Sequence, residues 1–140
     1  MVYLAQTDTT VGFLSKDAKL LNALKSRALD KCCIVCAASF SELKARVPSK
    51  YKNLVRRAKK TTFILQNGFS FRLVKDDAHA TLLRKTGWLY STSANETGKR
   101  FDMEFAKSKA DIIIEDERGF FESAPSAILK LGRKHLKKIR

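Results

Sequence analysis

"LYSTSANETGKRF", residues Leu89–Phe101, breaks an apolar run with Ser91, Thr92, Ser93, Asn95 and Thr97 around one glycine, and sets Lys99 and Arg100 directly behind them. "WLYST" before it reads as a strand and "FDMEFAKSK" (101–109) after it as a short helix, so the hydroxyl-rich piece lies where a strand gives way to a helix. Ligands in open α/β sheets sit beyond the carboxyl ends of strands. A second polar piece, Thr7-Asp8-Thr9-Thr10, follows the first strand, "VYLAQ" (2–6), in the same manner. Either piece alone is also good turn material. Two of them after two strands could face one cavity.

Working outward, Leu20, Leu21 and Leu24 recur at helical spacing between Asp17 and Arg27, with Ser15 or Asp17 as the cap. "TDTTVG" (7–12) reads as a turn and "CCIVCA" (32–37) as the second strand. Ser39 and Glu42 form a capping-box pattern that opens a helix through about Arg46. After Pro48, "SKYKNLVRRAKK" (49–60) predicts a very basic helix with Tyr51, Leu54, Val55 and Ala58 on one face. "TTFIL" and "FSFRLV" flank Gln66-Asn67-Gly68, a hairpin signal in which Asn-Gly supplies positive φ angles. "DAHATLLRKTG" predicts a helix closed by Gly87. "ADIIIE" is a strand, and "SAILKL" and "HLKKIR" form a last, basic strand pair around Gly132. The expected fold is α/β: a twisted open sheet of mixed parallel and antiparallel strands with helices packed on it, residues 1–140 forming one domain.

Twenty-eight lysines and arginines against 14 acidic residues give a net charge of +14. That excess favours anionic partners such as nucleotides, RNA, DNA or acidic membranes, although a solvated basic surface explains it equally well. No segment has the length of a membrane span, and "MVYLAQTD" lacks signal-peptide features, so a soluble cytoplasmic protein is expected. Cys32, Cys33 and Cys36 have no zinc-like spacing with the two histidines and read as small apolar residues of a buried strand. P-loop, G-x-G-x-x-G and G-x-S-x-G motifs are absent. His79 reads as a surface or half-buried helix residue. The remaining chemistry is cationic: Lys25, Arg27 and Lys31 in "KSRALDK", and Arg72, which would need a carboxylate or phosphate partner if it faced inward.

In chain order, "QTDTTVGF", "KSRALDK", "TTFIL", "FSFRLV", "STSANETG" and "SAPSAILKL" with a terminal "KKIR" form a series. It resembles the YrdC-like threonylcarbamoyl-adenylate synthase family, whose patterns run close to P-T-D/E-T-x-Y-G-L, K-x-R-x-x-x-K-P-L, V-T-F/L, A-V-R, S-A-N-x-S/T-G and P-S-T-I-x-D. The resemblance covers essentially the whole chain and implies a YrdC-like sheet with a deep basic cavity. The implied reaction joins L-threonine, bicarbonate and ATP, with Mg2+ on the nucleotide, into threonylcarbamoyl-AMP and pyrophosphate. A partner transferase then passes the threonylcarbamoyl group to adenosine beside the anticodon of certain tRNAs. Such chemistry needs alignment and charge neutralisation rather than a covalent nucleophile.

Carried over by position, the resemblance implies ATP contacts at Lys25, Arg27, Lys31, Thr62, Asn95 and Arg140. It implies threonine contacts at Thr7, Arg72, Ser93 and Ser126. It leaves tRNA or double-stranded RNA as a further partner and no membrane. The chain departs from the pattern at Val11, where the family has tyrosine, at Gln6, Ala28 and Cys32, where it has proline, and at "RAKK" (57–60), Phe101 and Met103. The family helix that precedes the first strand has no counterpart, so one sheet face is expected to be less covered. Two other readings stand beside the synthase: a non-catalytic RNA- or nucleotide-binding relative, and a basic accessory protein that docks on an acidic partner.

Overall fold

The computed structural model describes residues 1–43 and 45–140. Among them, β1 (Tyr3–Gln6), β2 (Val11–Ser15), β3 (Ile34–Ala37), β4 (Thr61–Ile64), β5 (Ser70–Leu73), β6 (Leu89–Ser93), β7 (Ile112–Ile114), β8 (Ala127–Leu131) and β9 (Leu136–Lys138) form one sheet. Its order is β7-β1-β2-β6-β3-β5-β4-β8-β9. The β1/β7, β3/β5 and β4/β8 pairs are parallel and the others antiparallel, so the mixed open sheet is as expected.

Alternation along these strands sorts the core onto two faces. Leu4 pairs with Phe13, Tyr90 with Val35, Val35 with Phe71 and Phe71 with Phe63, which puts the large apolar side chains on one face. Helices α1 (Ala18–Leu24) and α5 (Met103–Lys109) cover Leu4 and Phe13 with Leu21 and Ala106. Helices α2 (Phe40–Leu43) and α3 (Lys52–Arg57), the latter led by a 3-10 turn at Ser49–Tyr51, cover Val35, Phe63 and Phe71 with Leu43, Tyr51 and Val55. Phe13, Phe63 and Phe71 are fully buried, each contributing about 2–3 kcal/mol. On the opposite face α4 (Asp77–Thr86) sets Ala80 and Leu83 over Ala5, Leu14, Cys36 and Leu89. It leaves the Gly12, Ile34, Ser91, Ser93 and Arg72 part of that face open as the floor of a cleft.

Local chemistry sets the helix ends. Asp17 caps α1 by accepting from the Lys19 and Leu20 amides at 2.9 and 3.3 Å. Asp76 caps α4 by accepting from the His79 amide at 3.0 Å, and Gly87, at φ +79°, ends it.

Several sequence expectations change. Val11–Ser15, expected to begin as a turn, is a strand with all five residues buried: α1 and α5 cover Val11 and Phe13, while α4 covers Leu14 and Thr7 crowds Gly12 on the other face, which erases the alternation that marks a half-buried strand. The helix expected to reach about Arg46 is described over Phe40–Leu43, and Ala45 and Arg46 are not helical; Lys44 lies outside the described residues. In the hairpin only Gly68 has positive φ, not Asn67. Cys32 is exposed because β3 starts two residues later, whereas Cys33 and Cys36 are buried as expected. His79 is buried, not a surface residue. No helix among the described residues is long and apolar enough to cross a membrane.

Candidate functional site

Strands β1 and β6 are each antiparallel to β2 and therefore parallel to one another, so their following loops leave the same edge of the sheet. Both loops line one cleft of about 240 Å³: Thr7, Thr9 and Thr10 from the first, and Ser93 at the root of the second. Arg27, Arg72, Ser126 and Arg140 complete it, with no acidic side chain among the described residues that line it. Gly12 permits the loops to meet. A Cβ there would sit 3.0 Å from both Thr7 Cγ2 and the Thr92 carbonyl oxygen, tighter than nine in ten real Cβ contacts.

A buried polar network holds the first loop. Arg72 Nε lies 3.0 Å from Asp8 Oδ1, with its N–H not aimed at that oxygen, so the attraction is Coulombic. Arg72 Nη1 donates to Thr62 Oγ1 at 3.4 Å, and Thr62 Oγ1 lies 2.7 Å from Ser126 Oγ. From the other side the Asp8 backbone amide donates to His79 Nδ1 at 3.3 Å. Burial holds the His79 pKa below its ordinary value, against the pull of the Asp8 carboxylate, so the ring is neutral with Nδ1 free to accept. His79 Nδ1, which accepts from the Asp8 amide, also lies 3.5 Å from Asp8 Oδ1 without a proton to offer it. Burial pushes the Asp8 carboxyl up, but the positive charge of Arg72 beside it opposes that, and the net direction is down.

A cation holds the second loop. Lys25, 4% exposed, donates from Nζ to the Ser93 carbonyl at 2.9 Å, to Ser93 Oγ at 3.2 Å and to Asn95 Oδ1 at 3.0 Å. Thr97 Oγ1 donates back to the Lys25 carbonyl at 2.7 Å. Burial, then the charges of Arg27 and Lys31, bring the Lys25 pKa down to about 8. Arg27 reaches the cleft because Asn22 Oδ1 accepts from its Nε at 2.7 Å, while its Nη2 donates to Thr92 Oγ1 at 3.1 Å. A strap then closes the far wall: the Phe121 amide donates to Gln6 Oε1 at 2.9 Å and the Ser123 amide to Thr10 Oγ1 at 3.3 Å.

Of the residues singled out from sequence, Thr7, Arg27, Arg72, Ser93, Ser126 and Arg140 line the cleft. Arg140 is fixed by donating from Nε to the Ser126 carbonyl at 2.8 Å. Lys25 and Thr62 stand one layer behind, against Ser93 and Arg72. Asn95 lines an adjoining recess of about 220 Å³ with Lys99 and Arg100, which shares Thr10 and Ser93 with the cleft. Lys31 is exposed and off the lining. Sequence reasoning missed Asn22 and His79, whose only signal was a polar residue inside an apolar helix pattern.

No protein-family model matches the sequence, and no curated protein matches it. Solved structures do. A doubly substituted variant of P. abyssi Sua5 superimposes with a TM-score of 0.83 at 19% identity, covering 99% of this chain and 52% of that one. P. abyssi Sua5 complexed with L-threonine gives 0.82 at 19%, covering 99% and 49%. E. coli YciO gives 0.77 at 18%, covering 99% and 82%. The chain thus spans about half the length of the Sua5 chains. What the likeness establishes is architecture: nine strands in mixed register, clothed by helices, make a YrdC-like fold.

Proposed function

We propose that the chain is an L-threonylcarbamoyladenylate synthase, joining L-threonine, bicarbonate and ATP into threonylcarbamoyl-AMP with release of water, as the amine and bicarbonate condense to a carbamate, and of pyrophosphate. The observation that carries the proposal is the convergence of both hydroxyl-rich loops and three arginines on one cleft. That a similar structure, Sua5, is complexed with L-threonine supports the amino-acid half of it. In this reading Thr7, Ser93 and Ser126 hydrogen-bond threonine. Asp8 holds Arg72 at Nε, and the arginine's terminal nitrogens take the threonine carboxylate. Arg27, Arg140, Lys25 and Asn95 serve ATP, with Thr62 buttressing the floor and Lys31 adding charge from outside.

Two anions must approach for the carbamate oxygen to attack the α-phosphate. The guanidinium groups lower that repulsion and fix the line of attack, and the leaving pyrophosphate departs with its charge screened. Hydroxyl and guanidinium groups suit phosphate oxygens better than a hard cation. Mg2+ therefore belongs on the nucleotide, where it would neutralise phosphate charge. The product is a reactive mixed anhydride, so a transferase must consume it, with a tRNA adenosine as the acceptor.

The test is pyrophosphate release from Mg-ATP with threonine and bicarbonate omitted in turn, with mass detection of the adenylate. Release that requires both, and that falls at least about a hundredfold in a folded Arg27→Ala variant, is expected. ATP binding without release under any condition would replace the synthase by the non-catalytic nucleotide-binding reading, which the substitution at Val11 favours.

A further inference from the structure

We infer that His79, on α4 and outside the cleft, is a positioning residue for threonine: its Nδ1 holds the Asp8 amide, and through it the loop that carries Thr7 and faces Arg72. The inference rests on the synthase reading for its substrate and on geometry for the rest. His79 is 1% exposed, and its Nε2 is a buried atom with no hydrogen-bond partner among the described residues. An unpaired buried N–H is destabilising, because it has given up its hydrogen bonds to water without replacing them. If His79 only filled space between α4 and the sheet, leucine would fill it as well and remove that penalty. What leucine lacks is the acceptor for the Asp8 amide.

The consequences run along the chain. Asp8 supplies the carboxylate that faces Arg72, and Thr7 next to it folds back on Thr9 and on the Thr10 carbonyl. A shift of the Asp8 backbone therefore moves the hydroxyl of Thr7 and the guanidinium of Arg72 together. Both belong to the threonine end of the cleft. The Lys25–Ser93–Asn95 contacts, on the opposite loop, do not depend on His79.

His79→Leu and His79→Asn separate positioning from packing. Asparagine offers an Oδ1 near the place of Nδ1 and so can accept from the Asp8 amide, whereas leucine cannot. In His79→Leu the threonine KM is expected to rise roughly tenfold, the loss of about one hydrogen bond, with the ATP KM within about twofold and urea stability equal to or above wild type. His79→Asn is expected to restore the threonine KM to within about threefold. Hydrogen exchange provides a substrate-free arm: the Thr7–Thr10 amides should open in His79→Leu and stay protected in His79→Asn. Unchanged exchange in His79→Leu, or an opened loop with an unchanged threonine KM, overturns the inference. If wild type makes no use of threonine, the synthase reading fails, and the exchange arm still decides whether His79 holds the loop.

Discussion

The two ends of the sheet are built on different physics. Between Leu43 and Lys75 and between Ser123 and Arg140, the segments that make α3, β4, β5, β8 and β9, there are ten and six lysines or arginines and no aspartate or glutamate. All 14 acidic residues lie in the rest of the chain, around β7, β1, β2, β6 and β3. The acidic end is laced by ion pairs such as Arg118–Asp76 at 2.7 Å and Lys107–Glu115 at 3.6 Å. The basic end is held by apolar packing, with Phe63 and Phe71 stacked at 5.7 Å. Among the described residues Asp8–Arg72 is the ion pair that joins the two, and it lies at the cleft. The site therefore sits on the electrostatic seam of the molecule, where a cation from the basic end meets a carboxylate from the other.

That seam is where the comparison breaks first. Asp8→Ala leaves Arg72 buried without a carboxylate and is expected to cost about 3–5 kcal/mol in urea unfolding. Because the Asp8 pKa is held below 3.8, its contribution is present above that pH and disappears as pH falls through the folded value. Wild type and variant should converge in acid. A loss under about 1 kcal/mol at neutral pH would mean that the ends hold together without the pair.

Lys25 sharpens the contrast from the other side, as a buried cation at the acidic end that is braced by carbonyl and hydroxyl oxygens instead of a carboxylate. Its folded pKa of about 8 lies below the unfolded value of 10.5, so between those pH values the unfolded chain binds more protons and stability rises with pH. From pH 7 to 9.5, wild type should gain about 2 kcal/mol relative to Lys25→Met in paired denaturation curves. A flat difference would show that Lys25 is not desolvated.

The smallest effects test the basic end as a whole. Lys137→Glu on exposed β9 should stabilise by a few tenths of a kcal/mol at low salt, and Glu115→Lys should destabilise by a similar amount. Both differences should fade at roughly 0.5 M salt, as screening shortens the reach of surface charge. Stability insensitive to both reversals would reduce the segregation of charge to a solvated surface.

The legibility of the chain follows the same lines. The Asp17 cap, the Gly68 hairpin and the Gly87 stop were readable because they depend on neighbours within a few residues, whereas the capping box expected at Ser39 and Glu42 gives way to a contact of Ser39 Oγ with Ser41 Oγ at 3.0 Å. Strand β2 was not, because Gly12 looks like a turn until the tight contact with Thr7 and Thr92 explains it, and because burial on both faces removes the period of two. The hydroxyls of the two loops and the cations Arg27 and Arg72 were visible as residue types at strand ends. Asn22, which aims Arg27, and His79, which holds Asp8, were not, since their partners lie 5 and 71 residues away in sequence, and nothing local marks a polar residue in an apolar helix as an anchor.

The sequence by itself determined which segments bury apolar surface, where the chain turns, and that hydroxyl-rich loops follow the first strand and "LYSTS". Those properties are carried by periodicity, capping and composition. The tertiary structure alone decided that β1 and β6 run parallel with β2 between them, so that two distant loops open on one cleft. It also decided which of several cations faces that cleft, because a buried charge goes where a partner is, and the partner of Arg72 comes from a loop sixty-four residues away in the chain.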